Sequence, residues 1–391
     1  MKLLRWPIRV GMSLLLVGCQ TTRYVPGKPL TGDAFIDGQD AIQHGPPKDK
    51  VLWQYRTAVA AMRRGQFEEA KKLLDDGIVR ISNVIGKDPT ARKARSYFSP
   101  EAKKTFIGEP YERVMAYYYR GILYWRDGEP DNARACFRSA ALEDSDTVDK
   151  KYSSDYVLLD YLDGLASLKL GGDGSDAFKR AGAEAKLAHP PSYNAKANVL
   201  LFVEFGQGPT KYAMGEYAEL LMFRGGIAAT RAAQAQVGQK SYQLQPYDDL
   251  YFQATTRGGR VMDHILANKA GFKRTTDAVG NVSLVSGLVL ATRKDTQVAG
   301  LGAAAFGLIS KIASGRTTPE ADIRSWDNLP LFLSFAALEL APGSQTITVD
   351  FLDEASRPLA DHTKTITINV SAAPADKVVY VSDKSLTPQT Q

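Results

Sequence analysis

The chain has 391 residues, 44% of them hydrophobic and 24% charged, which is ordinary globular composition and enough length for two or three compact units. Two cysteines, Cys19 and Cys136, exclude a disulfide framework. The formal charge of +6 includes Lys2, Arg5 and Arg9 in a leader without acids, so it gives no reason to expect a nucleic-acid partner.

Those three basic residues precede the apolar run Met12–Val17, which breaks at Gly18-Cys19. A basic segment, a short apolar core and small residues before a cut form the layout of a secretory signal. The apolar run is far below the roughly 20 residues of a spanning helix, so residues 1–18 are expected to be removed. Leu16-Val17-Gly18-Cys19 matches the bacterial lipobox, which implies cleavage before Cys19 and acylation of its thiol and new amino group. Several acyl chains give stable anchoring, since each buried methylene contributes about 0.8 kcal/mol. Gln20, in place of Asp, points by resemblance to sorting into the outer membrane, facing the periplasm, with the inner membrane as the alternative.

Residues 19–48 carry Pro26, Pro29, Pro46 and Pro47 without sustained periodicity and are expected to be a flexible linker. From Lys50 the period becomes helical: Leu52, Tyr55, Val59 and Met62 form one stripe, Gly65 breaks it, and Ala70, Leu73, Leu74, Ile78 and Ile81 form the next. The unit returns between Glu112 and Asp144. There Val114, Tyr118, Gly121, Ile122 and Trp125 line a first helix, Asp127–Pro130 makes a turn, and Ala133, Phe137, Ala140 and Ala141 line a second.

Gly121, Tyr124, Gly128, Ala133, Phe137 and Ala140 stand at the spacing of the tetratricopeptide repeat, which this unit resembles. Residues 50–86 match it partially, and a third unit with Gly164, Leu168 and Phe178 is degenerate. Such repeats need about three neighbours to bury a continuous core, so three helix pairs are expected within 49–190, with residues 87–110 as an insertion. A generic helical-hairpin array is the alternative.

Beyond Pro191, Asn198–Phe205 is an apolar run ended by Gly206-Gln207-Gly208-Pro209, the pattern of a buried strand and loop. Val261–Asp277 and Val298–Ile312 are helix candidates. Segments 331–340, 345–351, 364–370 and 377–381 alternate with turn residues between them and suggest a small antiparallel sheet or sandwich. The expected class is α+β: a tetratricopeptide-like helical hairpin array over 49–190, a mixed α/β region over 191–316 and an antiparallel β domain over 317–391. This order, with the segment Ala321-Asp-Ile-Arg-Ser-Trp-Asp-Asn-Leu-Pro330, resembles a family of proteobacterial outer-membrane lipoproteins with repeat-like helices. The resemblance implies an architecture and carries no chemistry.

No motif supplies chemistry of its own. Gly300-Leu-Gly-Ala-Ala-Ala305 satisfies a dinucleotide fingerprint formally, with Glu320 and Asp322 at ribose distance, but the strand it needs on each side is missing and a close-packed Gly/Ala helix explains it. His44, His189, His264 and His362 are scattered without metal-ligand spacing, and neither a Walker loop nor a nucleophile elbow occurs. Asp248-Asp249 could serve acid–base work on a glycan, although adjacent acids near a turn are more often solvated or capping groups.

What remains is surface recognition. A helix buries about half its circumference, so the rings of Tyr117, Tyr118, Tyr124 and Trp125 are candidate partner anchors in the array's groove, with packing against the next helix pair as the bland alternative. Gly208-Pro-Thr-Lys211 is a second candidate surface. The sequence therefore predicts a non-enzymatic, membrane-anchored envelope scaffold that binds proteins, with no cofactor or metal and no nucleic acid, and an envelope glycan hydrolase as the alternative.

Overall fold

Three glycines in the left-handed backbone region, Gly65, Gly128 and Gly171 (φ +73°, +82° and +80°), turn three pairs of helices back on themselves. The computed structural model that shows this describes residues 30–86, 104–146, 150–216, 218, 220–256, 321–386 and 389–390. The pairs are α2 (Lys50–Met62) with α3 (Phe67–Gly86), α4 (Pro110–Arg126) with α5 (Pro130–Asp144), and α6 (Val157–Lys169) with α7 (Ser175–Glu184). Each helix packs on the next along the chain. Small residues set the spacing: a Cβ on Gly121 would lie 2.6 Å from the Phe137 ring, and one on Gly77 would lie 2.5 Å from the Tyr55 ring.

A further helix, α1 (Ala34–His44), precedes these and corrects the expectation of a flexible linker over the whole of 19–48. The Asp33 carboxylate caps it by accepting from the N–H groups of Phe35 and Ile36, and Arg64 pairs with the same carboxylate. Buried Gly38 and Ala41 dock it on α2.

The strands are β1 (Val199–Phe205), β2 (Thr210–Met214), β3 (Leu220–Arg224), β4 (Ala232–Val237), β5 (Lys240–Leu244), β6 (Asp248–Asp249), β7 (Phe332–Leu338), β8 (Gly343–Leu352), β9 (Lys364–Val370), β10 (Lys377–Ser382) and β11 (Gln389–Thr390), with a short helix α8 (Leu250–Thr255) after β6. They form a four-stranded sheet in the order β10-β1-β7-β6, a five-stranded sheet in the order β11-β9-β8-β4-β5, and a separate β2–β3 hairpin. Both larger sheets draw strands from 199–249 and from 332–390, so the expected division into a mixed region and a separate C-terminal β domain at 316/317 does not hold. Nor is the pairing antiparallel throughout: β10 runs parallel to β1, with Leu201 opposite Val379. The two apolar segments 199–205 and 377–382 are thus neighbours in one buried layer, which parallel pairing requires.

The result is three layers. On one face of the four-stranded sheet, Leu200, Phe202, Phe335, Val378 and Tyr380 pack against the helices. On the other, Val199, Leu201, Val203, Phe205, Val379 and Val381 pack against Ala233, Ala235, Ile347, Val349, Ile366 and Ile368 of the five-stranded sheet. Burial on both faces is why β1 is apolar at nearly every position.

The segment 321–330 runs between helices and sheet. Trp326, fully buried, stacks on Tyr55 with ring centroids 4.7 Å apart and lies 6.0 Å from Tyr119. Arg56 donates to the Ser325 carbonyl and to Asp327, and Arg324 pairs with Asp322 and Asp49. Cys19, Val261–Asp277, Val298–Ile312 and the glycine motif at 300–305 lie outside the described residues. Among the described residues no helix is long and apolar enough to cross a membrane.

Candidate binding cleft

The four aromatic residues singled out on α4 have different fates. Tyr118 is buried among Tyr119, Phe137 and Phe202, and Trp125 is buried against Phe137. Tyr117 and Tyr124 are half-buried, and the Arg120 guanidinium lies 3.5 Å above the Tyr124 ring while pairing with Asp75. The groove in which these rings were expected to meet a partner is filled by the chain itself. The four-stranded sheet and Trp326 cover the inner side of α4, so this helix is buried almost all round. Tyr118 is therefore a core residue and not an available anchor. Lys211 of the second candidate surface is likewise buried.

Trp125 reaches a different feature. Its indole N–H donates to the Asp376 carboxylate at 3.0 Å, at the edge of an open cleft of about 630 Å³. One wall is the α4–α5 turn at Gly128 and Pro130; another is the approach to β1 at Lys196 and Asn198; the third is the β9–β10 loop, Ser371–Asp376. Lys169, at the end of α6, donates to the other oxygen of Asp376 at 2.6 Å and also to the Ala197 carbonyl. One carboxylate thus ties the helices, the sheet and the loop together.

The loop is Ser-Ala-Ala-Pro-Ala, exposed throughout, with side chains too small to screen its backbone. Beside it, burial and the nearby Arg126 hold the Lys377 ammonium below its usual range. The volume falls within the roughly 300–1,000 Å³ of ligand sites. Chemically the cleft offers backbone donors and acceptors, the exposed Lys196 and a small apolar floor. The half-buried Lys169 and Asp376 pair with each other. Of these residues the sequence singled out Trp125 alone, as a groove anchor; Lys169 and Asp376 carried no signal, because only the tertiary fold brings them to it.

The paired acids at 248–249 are both caps. Asp248 is buried and accepts from the N–H groups of Val157 and Leu158 at 2.8 and 3.0 Å, capping α6, while Asp249 accepts from Tyr251 and Phe252 at the start of α8. The pocket next to them is about 90 Å³, well below ligand-site size. Burial pushes the Asp248 carboxyl up to about 7, with Asp155 and Asp144 adding to the rise and the two backbone bonds opposing it.

Between the ordinary aspartate value and about 7 the folded protein holds a proton that the unfolded chain has released. This contribution to stability is full below the ordinary value, declines as pH rises through the window and is gone above it, a span on the order of 4 kcal/mol. Asp248→Asn is expected to flatten that part of the profile. Urea midpoints for both proteins from pH 4 to 8 check this; parallel profiles would show that Asp248 ionises normally.

Comparison with protein-family models, with curated proteins and with solved structures returns no match to this chain.

Proposed function

We propose that this chain is a lipid-anchored envelope protein that acts by binding a partner protein, with the cleft between the α4–α5 turn and the β9–β10 loop as its recognition site. The observation that carries the reading is the open cleft itself: its half-buried charges Lys169 and Asp376 are paired with each other, and an unscreened backbone loop forms one wall. Exposed main chain and a small apolar floor suit an extended polypeptide, which binds through backbone hydrogen bonds.

The anchoring is inferred from Leu16-Val17-Gly18-Cys19, and outer-membrane sorting from Gln20. The tetratricopeptide reading of the helix pairs is supported by the Gly121–Phe137 contact and the glycine turns, and it assigns the array a supporting role around the sheet. The glycan-hydrolase alternative loses its best residues, since Asp248 and Asp249 are engaged as helix caps.

The test is crosslinking and recovery from intact cells with the native protein, Cys19→Ala, and a cleft-blocking Ala373→Arg/Lys196→Glu variant. Both cleft substitutions fall on exposed positions, where stability changes are usually within about 0.5 kcal/mol. A defined envelope protein captured by the native form and lost from the cleft variant is the expected result. Equal capture by both moves recognition elsewhere, and capture of nothing removes the scaffold reading.

A further inference from the structure

The most completely buried charged cluster in the described structure lies where β2 meets the start of α4, away from the cleft. Lys211 of β2 points its ammonium at Glu112, with Nζ 2.5 Å from Oε2, and at Glu109, with Oε1 3.9 Å away. The side chains are 1%, 0% and 3% exposed respectively. The Phe106 ring lies 5.5 Å from Nζ, and the Arg324 carbonyl accepts from the same nitrogen. Glu112 is held rigidly: its Oε2 accepts from the Glu109 N–H at 2.6 Å in a capping box, and its Oε1 accepts from the Trp326 N–H at 2.7 Å.

An amine in contact with one oxygen of a carboxyl group is also in contact with the carbon that bears it. The same site places a second carboxylate beside the amine and a backbone donor on the far oxygen. From this arrangement we propose that Lys211 and Glu112 condense into an intramolecular isopeptide bond, with Glu109 as the proton carrier.

The atoms balance with loss of one water. Lys211 passes a proton across the contact to Oε2, leaving a neutral amine against a neutral acid. The nitrogen lone pair attacks Cδ of Glu112, and the carbonyl electron pair moves onto Oε1, where the Trp326 N–H stabilises the developing charge. Glu109 takes a second proton from the now cationic nitrogen and delivers it to Oε2. The Cδ–Oε2 bond breaks, water departs, and the Oε1 pair re-forms the carbonyl of the amide. No oxidant or cofactor enters.

Burial supplies the driving force. An ion pair held out of water carries a large desolvation cost for each charge, which a neutral amide does not. The fixed contact supplies the proximity that makes an intramolecular condensation fast. The dry surroundings exclude the water needed to reverse it. The bond would tie the β2–β3 hairpin covalently to the helical array.

The experiment is peptide mapping by mass spectrometry of the purified full chain after denaturation and trypsin. The expected product is one branched peptide, residues 105–113 joined to 197–224, lighter than its two parts by a water and uncut after Lys211. Glu109→Gln is expected to deplete the branched peptide at least tenfold while the protein stays folded by circular dichroism, and Lys211→Arg to abolish it. Linear peptides 105–113 and 197–211 alone from the native chain would show an ordinary buried ion pair and overturn the proposal. A fully branched Glu109→Gln product would overturn the role of Glu109.

Discussion

Replacing Glu204 with alanine is expected to lower the unfolding free energy by about 3–5 kcal/mol, the range for removing one partner of a buried ion pair. Glu204 is the one acid of the apolar strand β1, and it projects onto the helical face. Its Oε1 accepts from both Nε and Nη2 of Arg63, at 3.1 and 2.8 Å, and its Oε2 accepts from the Tyr119 hydroxyl at 2.6 Å. The Arg63 and Glu204 side chains are 8% and 2% exposed. The carboxylate holds the Arg63 guanidinium above even its ordinary value, against the opposing effect of burial. Truncation would strand that guanidinium inside the protein and leave the Tyr119 hydroxyl without its acceptor. The paired change Arg63→Met/Glu204→Leu removes both charges together and is expected to recover most of the loss. Urea denaturation of the three proteins checks this. A loss below about 1 kcal/mol for Glu204→Ala would mean that water reaches the pair.

The second large effect is expected at Trp326. Truncation of a buried tryptophan to alanine costs about 3–5 kcal/mol through lost contacts and the cavity left behind. Here the indole fills the space between Tyr55 on α2 and Tyr119 on α4. Its Nε1–H makes no hydrogen bond among the described residues. Trp326→Phe therefore forfeits volume but no polar contact, and is expected to cost less than half as much as the alanine variant. Trp326→Ala should also open segment 321–330 to proteases, because the Trp326 N–H to Glu112 bond and the ring together pin it down. Thermal unfolding and limited proteolysis provide the readout. Equal losses for the two variants would mean that the indole nitrogen has a partner after all.

Local pattern and tertiary arrangement were unequally legible in the sequence. Alternation in Lys364–Val370 marked β9 to the residue, because one face is buried and the other is wet. The apolar run at 198–205 marked β1 but could not say that β10 would lie beside it. The glycines at 65 and 128 marked two of the helix turns correctly. Helix α1 went unread although its cap at Asp33 was visible, since nearby prolines dominated the composition. Strands β2 to β5 are short, and glycines at 215, 225, 226 and 238 separate them, so no window held a period long enough to see.

The tyrosines of α4 show the limit most clearly. Their surplus over one buried face pointed to an exposed groove, on the premise that a helix buries half its circumference. The premise failed because a sheet assembled from distant segments covers the other side. For the same reason the cap that Asp248 supplies to α6, and the cleft around Asp376, could be found only in three dimensions.

The middle layer also has a biosynthetic consequence. Its inner strand β1 is flanked by β7 and β10, which are made long after it. Until β10 emerges, one edge of β1 offers unpaired backbone and apolar side chains to any neighbouring chain. Folding of this layer must therefore await translation through residue 382, and ribosomes that stop short will release products that chaperones must hold or proteases must clear. The central sheet therefore closes only with β10, the strand that ends at residue 382, after nearly all of the chain has been made.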